Sequence, residues 1–334
     1  MKCGCSLGRQ ALDHGIAVIK AKQAVPEYDD IEAIQDAMAI ALEAEWSMLS
    51  EAGTTAAEAY LAGQKVVTSA HATKATKLLQ SPFAAWPSGD AVAMVGDGIA
   101  EMYKLSQKVI FNKAAGTRGY GKTLVFKASL EATFSVVDQQ AVSALAGDQV
   151  YWLGEHYDAL TRDSIESAGF EELAGLSGKA AGEKLRKEAE RIFGTGAFAS
   201  KGAWYFSGVA VNAATTARVS GALLELEELG VDSYVIVNPM DERTTDICSD
   251  LNGKEFPVKA AADRVREIIA AESPEDVKAL HPWNPGGYVS AFSDLGVVVE
   301  QGKPITPAAA EVLSAAGYGM PPFHFKCRTT VDLA

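Results

Sequence analysis

"VDSYVIVNP", residues 231–239, runs almost directly into "DERTTDICSDLNGKEF", residues 241–256, and here the chain changes character. Tyr234, Val235, Ile236 and Val237 form an aromatic and β-branched run bounded by Asp232 and Pro239, which is the pattern of a strand. Behind it acids, bases, two threonines, a cysteine and a glycine turn crowd together. Asn252-Gly253 is a hairpin signal, because both residues tolerate positive φ, and Phe256 returns an aromatic ring to the core. The unit reads as strand, polar loop, tight turn, strand.

What precedes it is helical in pattern. Ile31, Ile34, Met38, Leu42 and Trp46 recur near helical spacing over residues 28–63, with Asp29 and Asp30 favouring a helix N-terminus and a candidate break at Gly53. Further helical patterns end near Gln80, span residues 91–115 and resume over 139–196. Residues 199–230 form a helix rich in small residues, which permit close packing, and Gly230 stops it. Beyond the strand come a charged helix near 258–272, the loop "HPWNPGGYVS" at 281–290, an apolar stretch "LGVVVE" at 295–300 and a short helix at 307–316. The expected class is α+β: a mostly helical N-terminal portion with a smaller mixed α/β C-terminal domain containing a β-hairpin. Residues 1–122 are the helical region; 123–334 form a second domain, with a helical lead-in at 123–230 and a mixed core at 231–334.

Composition narrows the function. With 334 residues and 48% hydrophobic content the chain can bury a substantial core, and a net charge of -13 argues against a broad nucleic-acid-binding face. No apolar run is long enough for a membrane span and the start lacks a secretory core, so no membrane partner is expected and synthesis is placed in the cytoplasm. Gly116, Gly121, Lys122 and Thr123 satisfy the spacing of a phosphate loop, but no apolar strand precedes them, and the segment reads as a linker. Cys3, Cys5, Cys248 and Cys327 are too few for a disulfide scaffold and are expected as thiols.

The chemistry concentrates at two places. Asp241, Cys248, His324 and Cys327 are zinc-type ligands, and His324-x-x-Cys327 has the tight spacing by which one turn presents two of them. His281 is a spare candidate. Zinc is the cofactor such a set would take; buried free thiols and a Cys248 to Cys327 disulfide are the alternatives. Asp241 or Glu242 with His324 could serve acid–base work, and a Cys–His pair could supply a thiolate, but no third orienting group is visible. No catalytic residue is therefore assigned, and the expectation is a protein that is not an enzyme. Arg243 and Arg328 read as pairing partners that fix an irregular loop, Arg328 suiting Asp241. Pro321-Pro322 sets an extended approach for "FHFKCRTTV", residues 323–331, where Phe323, Phe325 and Cys327 alternate as in a final strand.

Taken in order, Asp241-x-Arg243-Thr244, Cys248, Leu251-Asn252-Gly253-Lys254 with Phe256, and Pro321-Pro322-x-His324-x-x-Cys327-Arg328 resemble the head morphogenesis proteins of tailed phages, the Mu protein F-like minor head family. Thr216 and Arg218 on a helix, then Gly230-Val231 and a strand, look like the family's lead-in. The likeness covers about the last third of the chain. It departs at Thr245, where many members carry a further cysteine, in the lack of a second cysteine after Cys327, and in the strand, where an expected tryptophan is missing. The resemblance implies a minor structural protein of a phage head, associated with the portal vertex and acting in procapsid morphogenesis. Its implied partners are a portal protein, major capsid or scaffold proteins and, in some members, packaged DNA; its implied location is the virion. The residues themselves offer an alternative, a metal- or cysteine-dependent hydrolase centred on Cys248, His324 and Asp241.

Overall fold

Helix α1, Tyr28–Ala62, runs unbroken through Gly53, because the glycine answers a neighbour rather than a bend. A Cβ at Gly53 would lie 2.5 Å from the Leu79 carbonyl oxygen of α2, Ser69–Gln80, so the missing side chain lets the two helices touch. Thr68 starts α2 with a reciprocal cap. Its hydroxyl accepts the His71 N–H while His71 Nδ1 accepts its own, satisfying two amide donors that a helix start leaves open. The computed structural model describes residues 28–86, 89–116, 136–168, 170–195, 197–281 and 292–334. Cys3, Cys5, the Gly121 to Thr123 loop, the boundary near 122 and most of the "HPWNPGGYVS" loop lie outside the described residues.

Among the described residues four more α-helices follow: α3, Gly89–Gly116; α4, Val136–Ser167; α5, Gly178–Ala189; and α6, Ala197–Glu228. The end of α6 is fixed by glycine: Gly230 takes φ +69, its N–H reaches the Glu227 carbonyl, and the Val231 N–H reaches that of Leu226. That pair of bonds closes the carbonyls a helix C-terminus leaves open, and only glycine adopts the left-handed corner at low cost.

The chain divides into two compact units. One contains Ala37–Met94 and Val150–Ser207. Its core is aromatic: Trp46 meets Phe193 edge-on at 5.4 Å and Phe83 at 5.9 Å, with Phe206 at 6.3 Å. Such rings bury large apolar areas and dominate a core's energetics. The other unit contains Val95–Gln149 and Gly208–Ala334, with the start of α1 up to Asp36. There α3 and α6 approach so closely that a Cβ at Gly221 would meet Ser106 Oγ at 2.5 Å and the Tyr103 carbonyl oxygen at 2.7 Å. The buried Asp138 carboxylate accepts from Tyr103 Oη at 3.1 Å and from Gln107 Nε2 at 2.9 Å, so it is not left unpaired.

This second unit carries the sheet: β1, Ser233–Val237, lies between β2, Glu255–Pro257, and β3, Thr330–Leu333, antiparallel to both. Tyr234 opposes Phe256 on one side and Leu333 on the other, and Ile236 opposes Val331. Tyr234 and Ile236 are fully buried while their neighbours are half-buried, the two-residue alternation of a strand with one face on the core. Tyr234 also donates its hydroxyl to the Gly319 carbonyl. Helices α7, Asp246–Leu251; α8, Val258–Ala270; α9, Pro274–Leu280; and α10, Pro307–Ala315, complete the unit, α10 packing on β2 and α8. The chain is thus α+β, predominantly helical with a small sheet.

Two local expectations change. The stretch between β1 and β2 is not all loop: Asp246–Leu251 turn into α7, burying Ile247, Cys248 and Leu251 on one face. Asn252-Gly253 accordingly follows a helix. Asn252 Oδ1 accepts the Asn238 N–H at 2.9 Å, and Gly253, at φ +72, donates its N–H to the Ile236 carbonyl. The last strand begins at Thr330 rather than at Phe323, because residues 324–327 turn: the Cys327 N–H bonds the His324 carbonyl at 3.1 Å and Lys326 takes φ +62. Among the described residues no helix is long and apolar enough to cross a membrane.

Candidate metal centre

Two elements build the site. Helix α7 projects Cys248 inward from its third position, since Ile247 and Leu251, four residues apart, hold that face of the helix on the core. The second element is the His324 to Cys327 turn. It is seated from three sides. The Phe325 ring fits against Gly208 of α6, where an added Cβ would fall 2.1 Å from its Cζ. Thr215 Oγ1, about two turns further along α6, donates to the Cys327 carbonyl at 2.7 Å. The buried Pro321, Pro322 and Phe323 lead into the turn, with a cis peptide between the prolines.

The result is a cluster of ligand atoms. Cys248 Sγ and Cys327 Sγ are 3.7 Å apart, and His324 Nε2 is 3.2 Å from Cys248 Sγ; the three ligand atoms all lie within 4.8 Å of one another. Both cysteines are buried and free, and the histidine is half-buried. A disulfide would hold its sulfurs at about 2.05 Å, so the pair is a dithiol. Two thiolates on one tetrahedral zinc, with bonds of about 2.3 Å, would stand about 3.8 Å apart, which is close to the observed separation. His324 is oriented for ligation as well. Its Nδ1 lies 2.8 Å from the Phe325 carbonyl, which can only accept, so Nδ1 carries a proton and Nε2 is the nitrogen turned toward the sulfurs, free to ligate in the neutral ring.

Electrostatics separates the two thiols. The hydrogen bond from Cys248 and then the interaction with His324 hold the Cys327 thiol well below its usual value, against the opposing effect of burial. Cys248 is pushed up by the same hydrogen bond and by burial. Burial works against an imidazolium at His324, but the hydrogen bond and charge of Cys327 outweigh it and raise that group. A thiolate beside an imidazole whose other nitrogen is fixed by a carbonyl has nucleophile, base and orienting group together. This overturns the expectation that the chain is not an enzyme, which rested on the missing orienting group. That group is the backbone carbonyl of Phe325, and the Cys248, His324 and Cys327 cluster is a potential catalytic or metal-binding site.

Asp241 sits elsewhere in the motif. Its carboxylate accepts both terminal nitrogens of Arg328, one at 2.7 Å, and the Arg243 N–H at 2.9 Å, while Thr244 Oγ1 accepts the Asp241 N–H at 2.9 Å. It fastens the loop after β1 to the residue following Cys327. Arg243 itself reaches Glu32 at 4.0 Å. His281, buried, has its Nε2 2.8 Å from the Met320 carbonyl and stands outside the three-ligand group. Thr245 Oγ1 lies 2.9 Å from His324 Nε2, and Lys254, 1% exposed, donates Nζ to the Glu300 carbonyl at 2.6 Å and to that of Lys303. Neither role was visible beforehand, because a threonine and a lysine in a polar run give no sign of what they face.

The Arg328 guanidinium, with the Arg243 amide, holds the Asp241 carboxyl down at about 2. A folded-state value below the unfolded one of about 3.9 means stability that is present above that pH and lost as pH falls through the folded value. Denaturant midpoints measured from pH 5 to pH 2 are therefore expected to fall more steeply for the wild-type chain than for Asp241→Asn, the difference developing between about pH 4 and pH 2. Parallel curves would remove the ion pair from any stabilising role.

Compared with family models, with curated proteins and with solved structures, the chain matches none.

Proposed function

We propose that Cys248, His324 and Cys327 hold a soft divalent ion of zinc type, and that this centre supports hydrolytic chemistry. The observation that carries the reading is the convergence of three ligand atoms within 4.8 Å, with the sulfurs at 3.7 Å. When bound by three protein ligands, zinc keeps a fourth position for water and brings that water's pKa near neutrality. The chain's own part is to select and orient. Two buried sulfurs favour a soft ion over magnesium or calcium. The Phe325 carbonyl fixes the His324 ring, and the Thr245 hydroxyl stands beside Nε2 on the more open side of the cluster. Asp241, tied to Arg328, acts on the loop and not on the ion.

A second reading, a minor component of a tailed-phage head at the portal vertex, is supported by one arrangement in particular. The motif elements that carry the resemblance close on each other: Arg328 on Asp241, Cys327 beside Cys248, and Thr245, where many family members carry a cysteine, 2.9 Å from His324. In this reading residues 231–334 are a distinct mixed α/β domain with β1 and β2 as its hairpin, the helices before it are the lead-in, and the metal centre closes the domain. Portal, capsid or scaffold proteins would be its partners and packaged DNA a possible contact.

The readings part on His324→Ala and Cys248→Ser. Hydrolysis predicts that a zinc-loaded full chain cleaves activated carboxylic or phosphoric esters, and that His324→Ala loses this while keeping its near-ultraviolet dichroism. The head reading predicts that both variants lose thermal stability and co-purification with a portal protein together. Absence of zinc-dependent cleavage across both ester classes would overturn the hydrolytic reading.

A further inference from the structure

Thr244 and Thr245 stand side by side and use their hydroxyls differently. Thr244 Oγ1 accepts the Asp241 N–H at 2.9 Å and so serves its own loop. Thr245 is the N-cap of α7, where a threonine hydroxyl ordinarily accepts an amide of the first turn, yet its side chain makes no capping bond. It crosses instead to the turn before β3, where Oγ1 lies 2.9 Å from His324 Nε2, 79 residues away in sequence. With Nδ1 protonated against the Phe325 carbonyl, the neutral ring leaves Nε2 as an acceptor, so the Thr245 hydroxyl is the donor. Both sulfurs are buried whereas Thr245 is exposed, which puts this hydrogen bond on the open side of the cluster.

An ion on Nε2 takes the lone pair that this hydroxyl uses, so metal binding releases the O–H. It then stands at the rim of a site whose three protein ligands leave a fourth position to an exchangeable ligand. We infer that Thr245 binds that exchangeable ligand: its hydroxyl, released by the metal, donates to a small anion in the fourth position, such as the carboxylate or phosphate that ester cleavage sets free. The inference rests on the metal centre proposed above and names what holds the ligand there. One side chain thus acts twice with opposite sign, competing with the metal for Nε2 and favouring the anion that follows it.

The test uses the full chain as wild type, Thr245→Val and Thr245→Ser. Each is loaded with cobalt(II) and titrated with azide as the anionic probe, followed by the visible absorption of the cobalt; zinc affinity and the metal-free thermal midpoint are measured alongside. Valine suits the extended backbone at this position, φ -81 and ψ 160, and no capping bond is lost with the hydroxyl. In the wild type azide should change the cobalt spectrum to saturation. Thr245→Val should bind azide about 10-fold more weakly, or about 1.4 kcal/mol, the low end for one hydrogen bond to a charged group, while binding zinc at least as tightly as wild type. Thr245→Ser, which keeps the hydroxyl, should restore azide affinity. Equal azide affinity in wild type and Thr245→Val overturns the inference alone, and so does a valine variant that loses zinc affinity and thermal midpoint instead, the mark of a merely structural threonine. A cobalt-loaded wild type whose spectrum ignores azide has no exchangeable position, which overturns the inference and the hydrolytic reading but leaves the metal centre. A wild-type chain that binds neither cobalt nor zinc overturns the centre itself, and this inference with it.

Discussion

Cys327→Ala is expected to abolish the response of the chain's stability to zinc. In the wild-type chain a metal that binds the folded C-terminal unit and not the unfolded chain raises stability by mass action, by about 4 kcal/mol when free zinc stands 1,000-fold above its dissociation constant. The alanine variant keeps Cys248 and His324, which are 3.2 Å apart, but two ligands cannot define a tetrahedral site. Its denaturation midpoint should be the same with zinc as with a chelator. The effect is large because Cys327 joins the last turn to α7, and metal across that gap closes a loop of chain running from Cys248. A wild-type midpoint indifferent to zinc would count against the centre; a Cys327→Ala midpoint that still rises with zinc would assign the metal to other residues.

The second large effect concerns a residue that never touches the ligand cluster. Gly208→Ala puts a methyl group 2.1 Å from Phe325 Cζ and 2.2 Å from Cε1, so the ring cannot stay. On a solvent-facing helix the same change would stabilise by about 0.5–1 kcal/mol. Here overpacking should reverse the sign and cost about 1–3 kcal/mol. The displaced ring belongs to the residue whose carbonyl orients His324, so zinc affinity should fall with stability. Truncating the ring tests the cause. In a Phe325→Ala background Gly208→Ala should become neutral or stabilising, and urea denaturation of the wild type, the two single variants and the double variant measures that sign change. If Gly208→Ala costs as much with the Phe325 ring truncated as with it in place, the contact is not what glycine serves.

These two residues also mark the limit of what the sequence discloses. The long helices were legible because Ile34, Met38, Leu42 and Trp46 repeat with the helical period and are all buried. Strand β1 was legible because a β-branched run has no good helical reading, and Gly230 because glycine after a small-residue helix signals its stop. Glycines inside helices were not. Gly53 looked like a break and serves close contact with Leu79; Gly208 looked like one more small residue and seats Phe325. The meaning of a missing side chain lies in the atom that takes its place, and that atom is remote in sequence.

The site divides in the same way. Cysteine and histidine could be nominated by type, since few side chains bind soft metal, but the choice among ligands depends on geometry. Asp241 is as good a ligand on paper as His324; two hydrogen bonds to Arg328 give it other work. Helix α7 was hidden by its shortness and by the polar residues that make up half of its six, although Ile247 and Leu251 four apart were a trace of it. The orienting carbonyl of Phe325 had no sequence signal at all, because every residue has one.

The central claim, that one metal ion is held by Cys248, His324 and Cys327, is tested most directly by metal stoichiometry under native conditions. Native mass spectrometry of the full chain after zinc loading and removal of loosely bound ions should give one zinc per chain, and none in Cys248→Ser, His324→Ala or Cys327→Ala. A zinc-free wild-type chain, or a zinc that survives all three substitutions, would contradict it.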